Sequence, residues 1–576
     1  MPWPGGTVPY RFDTNYSVTV AESNAIIAGL REWELMANVK FVRYTNQASY
    51  VLLQYTNDGS GTGYYLSGSA STNAIMMLHG LARGLMCHEG GHLFGLQHEH
   101  QRHDRDSYIT VNYANVLGGT NGEGAFIIDS NSVSSGAYDL VSVMHYGPGT
   151  FTNGFGHSLD PLPAYAKFYY KIGNLALSLG DRAAVSNLYG APLTPLSSLV
   201  TNTADGGFGS LRAAIYYAND HPGTTVQFQI PVTDPGYASG VFTISPLGEL
   251  PPLISARTII DGTTQSGFVN HPVIVLNGAQ VPSAAGPVSG LHCYGTNCTI
   301  RALAFDNFPD AGLQLFCSEA TSNHVENCYF GVQPDGTNAA PNFNAGIFFQ
   351  HGAHDNVIGG LNATQRNIIS GNTYYGIRLN DTNSDRNVIW GNHIGLNAAG
   401  TASVPNLASG VGIWNGPSGT LIGGTNAGAR NVLSGNLQYG IFLADSNVSG
   451  TTIQGNFIGT DFSGSNSVPN GNAITNSYAG IGIFAGAHDN FVGGTNALAR
   501  NIISGNTNVG VYLAGPGVTN NVIEGNYIGL NVAGTAALPS QGNGIYLLGG
   551  ASSNTVGGTS AGARNVISGN QSYGLF

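Results

Sequence analysis

From residue 359 to the end of the chain, three short phrases return in fixed phase. Arg-Asn-aliphatic-aliphatic-Ser-Gly-Asn begins at Arg366, Arg430, Arg500 and Arg564, at intervals of 64, 70 and 64. A Gly-Gly pair behind two apolar residues, or behind Thr-Val in the last copy, keeps the same intervals at Gly359, Gly423, Gly493 and Gly557, and Gly-Asn-x-Ile-Gly begins at Gly391, Gly455 and Gly525. Within each unit, a Gly-aliphatic strand start recurs at Gly346, Gly376, Gly410, Gly440, Gly480, Gly510, Gly544 and Gly574, so each unit reads as two successive coils. Short aliphatic strands at this spacing cannot bury an apolar side singly, but they can against the coils above and below. The expected fold is a right-handed parallel β-helix, with Ile377, Val388, Ile394 and Ile413 filling the bore and Gly and Asn at the turns. A β-propeller is the alternative, but it wants four antiparallel strands per blade and hairpin dipeptides, which are scarce here.

The chain has another character before this repeat. Residues 1–191 hold eight of the sixteen histidines and all the lysines, with helical periodicity at Ile26, Ile27, Leu30 and Trp33 and again over 80–95, which reads as an α+β domain. A Pro/Ser-rich linker follows at 192–198, then a capping region over 199–290 and the β-helix repeats over 291–576. An amphipathic helix is expected to begin near Ser210, in a segment that resembles the one preceding bacterial β-helix repeats in surface and secreted proteins, where a helix plugs the bore. At the other end, Gly574-Leu575-Phe576 stops inside an expected strand, so the natural polypeptide is expected to continue.

Charge narrows the partners. Nineteen basic residues against thirty-one acidic ones, with only Lys40, Lys167 and Lys171 as lysines, provide no basic stripe for nucleic acid. No apolar run reaches the roughly 18–20 residues of a membrane span. Cys87 stands alone, while Cys293, Cys298, Cys317 and Cys328 could form at most two local bridges; with the lysine-poor, Asn-rich composition this points to a secreted or cell-surface protein.

The chemistry concentrates in Cys87-His-Glu-Gly-Gly-His-Leu-Phe-Gly-Leu-Gln-His-Glu-His-Gln-Arg-His-Asp-Arg-Asp106. On a helix, His88 and His92 lie one turn apart on one face, the geometry two imidazoles need to share a metal. Gly95 lets the backbone leave the helix and bring His98 round as a third ligand. Three neutral imidazoles leave one coordination position open, as catalytic zinc requires. The bare His-Glu-x-x-His pattern is expected by chance roughly 0.008 times in a chain of this composition, and the longer form far less often.

Residues 1–191 resemble the catalytic domain of the astacin family of zinc metallopeptidases, within the metzincins. The resemblance rests on the stretch from His88 to Asp106, with Glu99 directly after the third histidine, and on Tyr138-Asp-Leu-Val-Ser-Val-Met-His-Tyr-Gly147. Trp3-Pro-Gly-Gly-Thr-Val-Pro-Tyr10 and Asp181-x-x-Ala-Val-x-x-Leu-Tyr189 also fit. It implies one Zn2+ per chain, Met144 in a Met-turn under the metal, and Tyr146 as a displaceable fourth ligand that later supports the oxyanion. It also implies Glu89 as the general base and acid. In the family the residue after the third ligand commonly binds the freed amino terminus. Here only Met1 and Pro2 precede Trp3, so Glu99 is expected to lack that partner and to bind a proton instead. Cys87 reads as a small buried residue, and His100 and His103 as lying outside the ligand set.

The solenoid shows no catalytic pattern of its own. Acidic residues beyond 330 are sparse and no lysine follows Lys171. The recurring arginines read as structural anchors, and His354-Asp355-Asn356 and His488-Asp489-Asn490 as turns, with a surface glycan as the ligand class considered for the solenoid. The expected function is a zinc-dependent endopeptidase acting on proteins or peptides, its β-helix a targeting, binding or spacer module. The alternative is a β-helical carbohydrate-active enzyme or surface adhesin with an inactive peptidase domain.

Overall fold

The structure, a computed structural model, describes residues 3–56, 64–66, 74–78, 80–118, 122–173, 176–472, 478–539 and 542–576. The first domain opens with β1 (Thr7–Phe12), α1 (Val20–Leu30), β2 (Lys40–Arg43), β3 (Val51–Tyr55), β4 (Tyr64–Leu66), β5 (Ala74–Leu78) and α2 (Arg83–Leu93). The strands form one sheet in the order β2-β1-β3-β5-β4, parallel except at β4. Strands β3 and β5 bury alternate residues, Val51, Leu53 and Tyr55 against Ala74, Met76 and Leu78, as a half-covered sheet requires. Helix α1 starts at a reciprocal Thr19/Glu22 cap. It lies so close to α2 that a β-carbon on Gly29 would sit 2.3 Å from the Met86 β-carbon. The second half of the domain has little regular structure beyond the ribbon of β6 (Ile109–Val111) and β7 (Leu159–Pro161), and it closes with α3 (Leu179–Tyr189).

Coil stacking begins at β8 (Leu199–Val200), inside the 199–290 stretch that the sequence sets apart as a cap. After α4 (Leu211–Asp220), β9 (Thr225–Phe228) pairs in parallel with β8. From there three sheets of twelve, twelve and nine strands run the length of a parallel β-helix. Among the described strands of these sheets, only Tyr237–Ala238 pairs antiparallel, with Val241–Ile244. The bore is filled by aligned aliphatic rows such as Ile347, Ile377, Val411, Ile441, Ile481, Val511 and Ile545. Ile377, Ile394 and Ile413 are fully buried there as expected. Val388 is not: in the strand Val388–Trp390 the middle residue, Ile389, points inward, and Val388 lies half-buried on the outer side. Strand alternation allows only one of two adjacent apolar residues into the bore.

Asparagine does more than make turns. Asn392, Asn431, Asn456, Asn501 and Asn526 stack with 2.9–3.2 Å side-chain amide bonds, each also donating to a backbone carbonyl, and all are fully buried. Such a row is tolerated only because every amide is satisfied. The recurring arginines are anchors: Arg366, Arg430 and Arg500 donate to the carbonyls of Gly391, Gly455 and Gly525 at 3.1–3.2 Å. The five cysteines are free and buried, so neither of the two possible local bridges is formed.

Helix α4 covers the end of the bore and is itself covered. Leu211, Ala214, Ile215 and Ala218 pack with the bore core, whereas Ala213 and Tyr216 belong to the core of the first domain. Around it, buried charges join the two domains. Arg83 on α2 binds Glu32 at 2.7 Å and Asp205 at 2.9 Å; Arg212 on α4 binds Asp205 at 2.8 Å and lies 3.5 Å from Glu32, which also accepts the Tyr216 hydroxyl. Arg182 on α3 forms a fork with Asp220, and Lys171 meets Glu319 at 3.1 Å.

Candidate active site

Helix α2 carries His88, Glu89 and His92, and two glycines allow its surroundings to close on it. A β-carbon on Gly90 would lie 2.7 Å from Trp33 Nε1, and one on Gly91 2.5 Å from Met144 Sδ. The buried Trp33 indole donates to the Cys87 carbonyl at 3.0 Å. Gly95 ends the helix in the left-handed region at φ +92°, where its N–H and that of Leu96 turn back on His92 and Gly91. The turn brings His98 over the helix.

The three imidazoles converge. His98 Nε2 lies 3.2 Å from both His88 Nε2 and His92 Nε2. The opposite nitrogens define the tautomers: His88 Nδ1 donates to the Val143 carbonyl at 2.7 Å, His92 Nδ1 to the Leu96 carbonyl at 2.8 Å and His98 Nδ1 to Gln101 Oε1 at 3.1 Å. Gln101 is oriented by its own amide, which donates to the Ala125 carbonyl. Each ring therefore carries its proton on the outer nitrogen and turns an Nε2 lone pair inward. Burial lowers all three imidazoles, His92 to about 4, so they are neutral at ordinary pH. Three lone pairs aimed at one point repel one another unless a cation lies between them, and the donor set of three neutral imidazoles suits zinc.

Glu89 is 2% exposed, and its Oε2 has no hydrogen-bond partner among the described residues. Burial pushes its carboxyl up to about 8. The Tyr146 ring lies 4.7 Å from that of His98 and stacks at 3.9 Å on His100, which is fully buried and bonded to the Ala125 carbonyl. His103, in contrast, sits at the surface against Ser134. Met144 lies beneath α2, and its carbonyl accepts from the Glu99 N–H. Glu99 Oε1 accepts from the Asp139 N–H at 2.8 Å and from Arg102 at 3.1 Å, and burial raises its carboxyl to about 7. Met1 and Pro2, on which the expectation of an unpartnered Glu99 rests, lie outside the described residues.

Several supporting residues are not evident from the sequence. Asp181, the third residue of α3, accepts from the Ser142 hydroxyl at 2.6 Å and the Val143 N–H at 2.8 Å, and so fixes the turn holding Met144 and the carbonyl that orients His88. Leu96 and Gln101 orient the other two rings. Asp181 stands in one of the stretches that carry the family resemblance, but its role depends on a contact spanning 38 positions.

The first 190 residues match the family model for Astacin, a peptidase family. These residues are an astacin domain. An astacin-like metalloendopeptidase of Coturnix japonica is 29% identical over 215 residues, covering 37% of this chain and 49% of that protein. Tolloid-like protein 2 of Mus musculus is 33% identical over 197 residues, covering 33% of this chain and 19% of its own. The chain thus spans about half or less of these relatives. Among solved structures, high choriolytic enzyme 1, a hatching enzyme zinc-protease from Oryzias latipes, aligns at 25% identity with a TM-score of 0.29, covering 33% of this chain and 94% of its own. The A-module of a mannuronan C-5 epimerase from Azotobacter vinelandii aligns at 15% identity with a TM-score of 0.34, covering 63% and 94%. The astacin domain implies zinc, and the His88, His92 and His98 group fits it.

Proposed function

We propose that the chain is a zinc-dependent endopeptidase hydrolysing peptide bonds in proteins, with one Zn2+ held by His88, His92 and His98 and with Tyr146 as a further, displaceable ligand. The observation that carries this reading is the inward convergence of three Nε2 lone pairs, with His98 Nε2 3.2 Å from the other two, beside a buried carboxylate whose Oε2 has no hydrogen-bond partner among the described residues. Zinc, when bound, supplies a Lewis acid and a water acidified toward neutral pH. Glu89 takes the proton of the attacking water and returns it to the leaving amine. Tyr146, whose hydroxyl burial pushes up to about 12, keeps its proton and donates a hydrogen bond to the developing oxyanion. Met144 and Gly91 hold the floor of the site. We also place the protein outside the cell or on its surface, where the solenoid positions the peptidase.

The test uses the full chain. Metal analysis should find one zinc per chain, and casein hydrolysis should vanish with chelator and return with Zn2+. Zinc bound without any hydrolysis of casein or a peptide library, or hydrolysis indifferent to chelator, overturns the reading.

A further inference from the structure

Beside the three converging imidazoles stands a fourth that takes no part in holding the metal. His100 is fully buried, and its Nε2 donates to the Ala125 carbonyl at 3.0 Å. Its Nδ1 therefore carries a lone pair, and that nitrogen is buried with no hydrogen-bond partner among the described residues. An unsatisfied buried acceptor costs stability that a phenylalanine in the same space would not. What the histidine offers in return is a flat ring whose plane is pinned by one hydrogen bond.

That plane faces Tyr146. The two rings stack with centroids 3.9 Å apart and 24° between their planes, the closest ring pair among the described residues. Phe126 and Phe151 meet the tyrosine less squarely, at 6.0 and 5.8 Å with 80° and 49° between planes. The backbone of Tyr146 is fixed separately: its carbonyl accepts from His145 Nδ1 at 2.7 Å, and a β-carbon on Gly173 would lie 3.2 Å from its carbonyl carbon. With the backbone fixed, the place of the hydroxyl depends on the side-chain torsions, and the face of His100 is the ring contact that restricts them most closely.

The carbonyl that pins His100 has a second task. It also accepts from Gln101 Nε2 at 3.1 Å, and Gln101 Oε1 orients His98. One carbonyl in the turn Glu123–Phe126 thus sets both the third imidazole and the ring under the tyrosine, and Arg105 and Tyr113 hold that turn through the Phe126 carbonyl.

We propose that His100 is a positioning residue, its pinned ring the platform that keeps the Tyr146 side chain turned toward the metal centre. This rests on the peptidase reading with Tyr146 as a displaceable ligand. The test begins with the full chain loaded with Cu2+ in place of Zn2+, where a coordinated tyrosine gives a visible charge-transfer band that Tyr146→Phe should abolish. His100→Phe keeps the flat face and loses the bond to Ala125; His100→Gln keeps a donor for that carbonyl and loses the face; His100→Leu loses both. His100→Phe should keep most of the band, and His100→Gln and His100→Leu should lose most of it, all with the native metal content. In the zinc-loaded chain His100→Gln and His100→Leu should lower kcat on a peptide substrate by on the order of tenfold with KM little changed, and His100→Phe should restore most of the loss. A merely structural role would lower stability without moving the band. His100→Leu takes the place of His100→Gln if the latter binds no metal. No loss of band in His100→Gln, or as deep a loss in His100→Phe, overturns the platform. A native copper chain without the band, or one whose band survives Tyr146→Phe, removes Tyr146 from the metal and overturns the platform whatever the chain cleaves. A band that follows the face of residue 100 in a chain that cleaves neither casein nor peptides sustains the platform and sinks the peptidase reading.

Discussion

Replacing Asp205 with asparagine removes one charge from the buried cluster that joins the domains. The Asp205 carboxylate bridges Arg83 and Arg212, whose side chains are 2% and 1% exposed, and is itself only 8% exposed. In Asp205→Asn two buried guanidiniums are left with Glu32 as their only charge partner among the described residues, and the new amide turns a donor toward them. Breaking a buried ion pair from one side costs about 3–5 kcal/mol, since the remaining charge has no solvent to return to. With a urea dependence of about 2 kcal/mol/M, the midpoint for the astacin domain should fall by roughly 1.5–2.5 M. Tryptophan fluorescence reads this, because Trp33 is buried in the astacin core, while Trp390 and Trp414 report on the solenoid. Asp355→Asn is the matched control: it breaks a 2.7 Å pair with Arg386 whose side chains are 38% and 59% exposed, and should cost less than about 1 kcal/mol. If Asp205→Asn costs no more than Asp355→Asn, or leaves the Trp33 transition in place, the cluster does not hold the domains together.

Three further outcomes are expected of the same geometry. Glu89→Gln should retain its zinc by metal analysis yet lose about 10²–10⁴-fold in kcat/KM on a peptide substrate; retained activity would remove Glu89 from proton transfer. In the solenoid, Ile389→Ala should destabilise by about 2–5 kcal/mol in urea unfolding and Val388→Ala by less than half as much, and the reverse order would mean the strand is out of register. Burial alone would raise the Asp205 carboxyl, but Arg212 and Arg83 hold it well below its ordinary value of 3.8. Its contribution is therefore complete above that value and lost as pH falls through the lower folded value. Acid titration of the Trp33 signal should show a decline below about pH 4 that is weaker in Asp205→Asn.

What could be read from the sequence was whatever short spacing encodes. The i, i+4 pair His88 and His92, the breaking Gly95 and the coil period all lie within one element or repeat. Asp181, by contrast, reaches the Met-turn across 38 positions, and Arg83 reaches Asp205 across 122, so neither pairing leaves a local trace. Asparagine was ambiguous in a different way. The residue type favours left-handed turns, and Asn383 and Asn415 do adopt positive φ, yet Asn431 and Asn456 lie in the interior of the coil stack. Nothing in a single coil distinguishes the two, because an interior amide is tolerated only when the next coil supplies its partner. Helix α4 shows the same limit: its apolar residues wrap both sides, which reads as a plug for the bore until Tyr216 and Ala213 are found in the other domain's core.

The position of α2 links the interdomain cluster to activity. Arg83 begins the helix and His88 lies five residues on, about 7.5 Å along its axis at the usual helical rise. The end held by Asp205 and the end that carries the histidines therefore belong to one short rigid body, pressed against α1 at Gly29 and against Met144 at Gly91. A shift of α4 moves Arg83 first, and the imidazoles follow, because the helix has no glycine between Arg83 and His88 except Gly84 in its first turn. The segment 192–198 is consequently not expected to make the solenoid a detachable tether. A chain ending there would keep Glu32 and Arg83 but lose Asp205, Arg212 and the Tyr216 hydroxyl, and would expose the core surface that Ala213 and Tyr216 cover. Peptidase activity and solenoid integrity are thus expected to fail together.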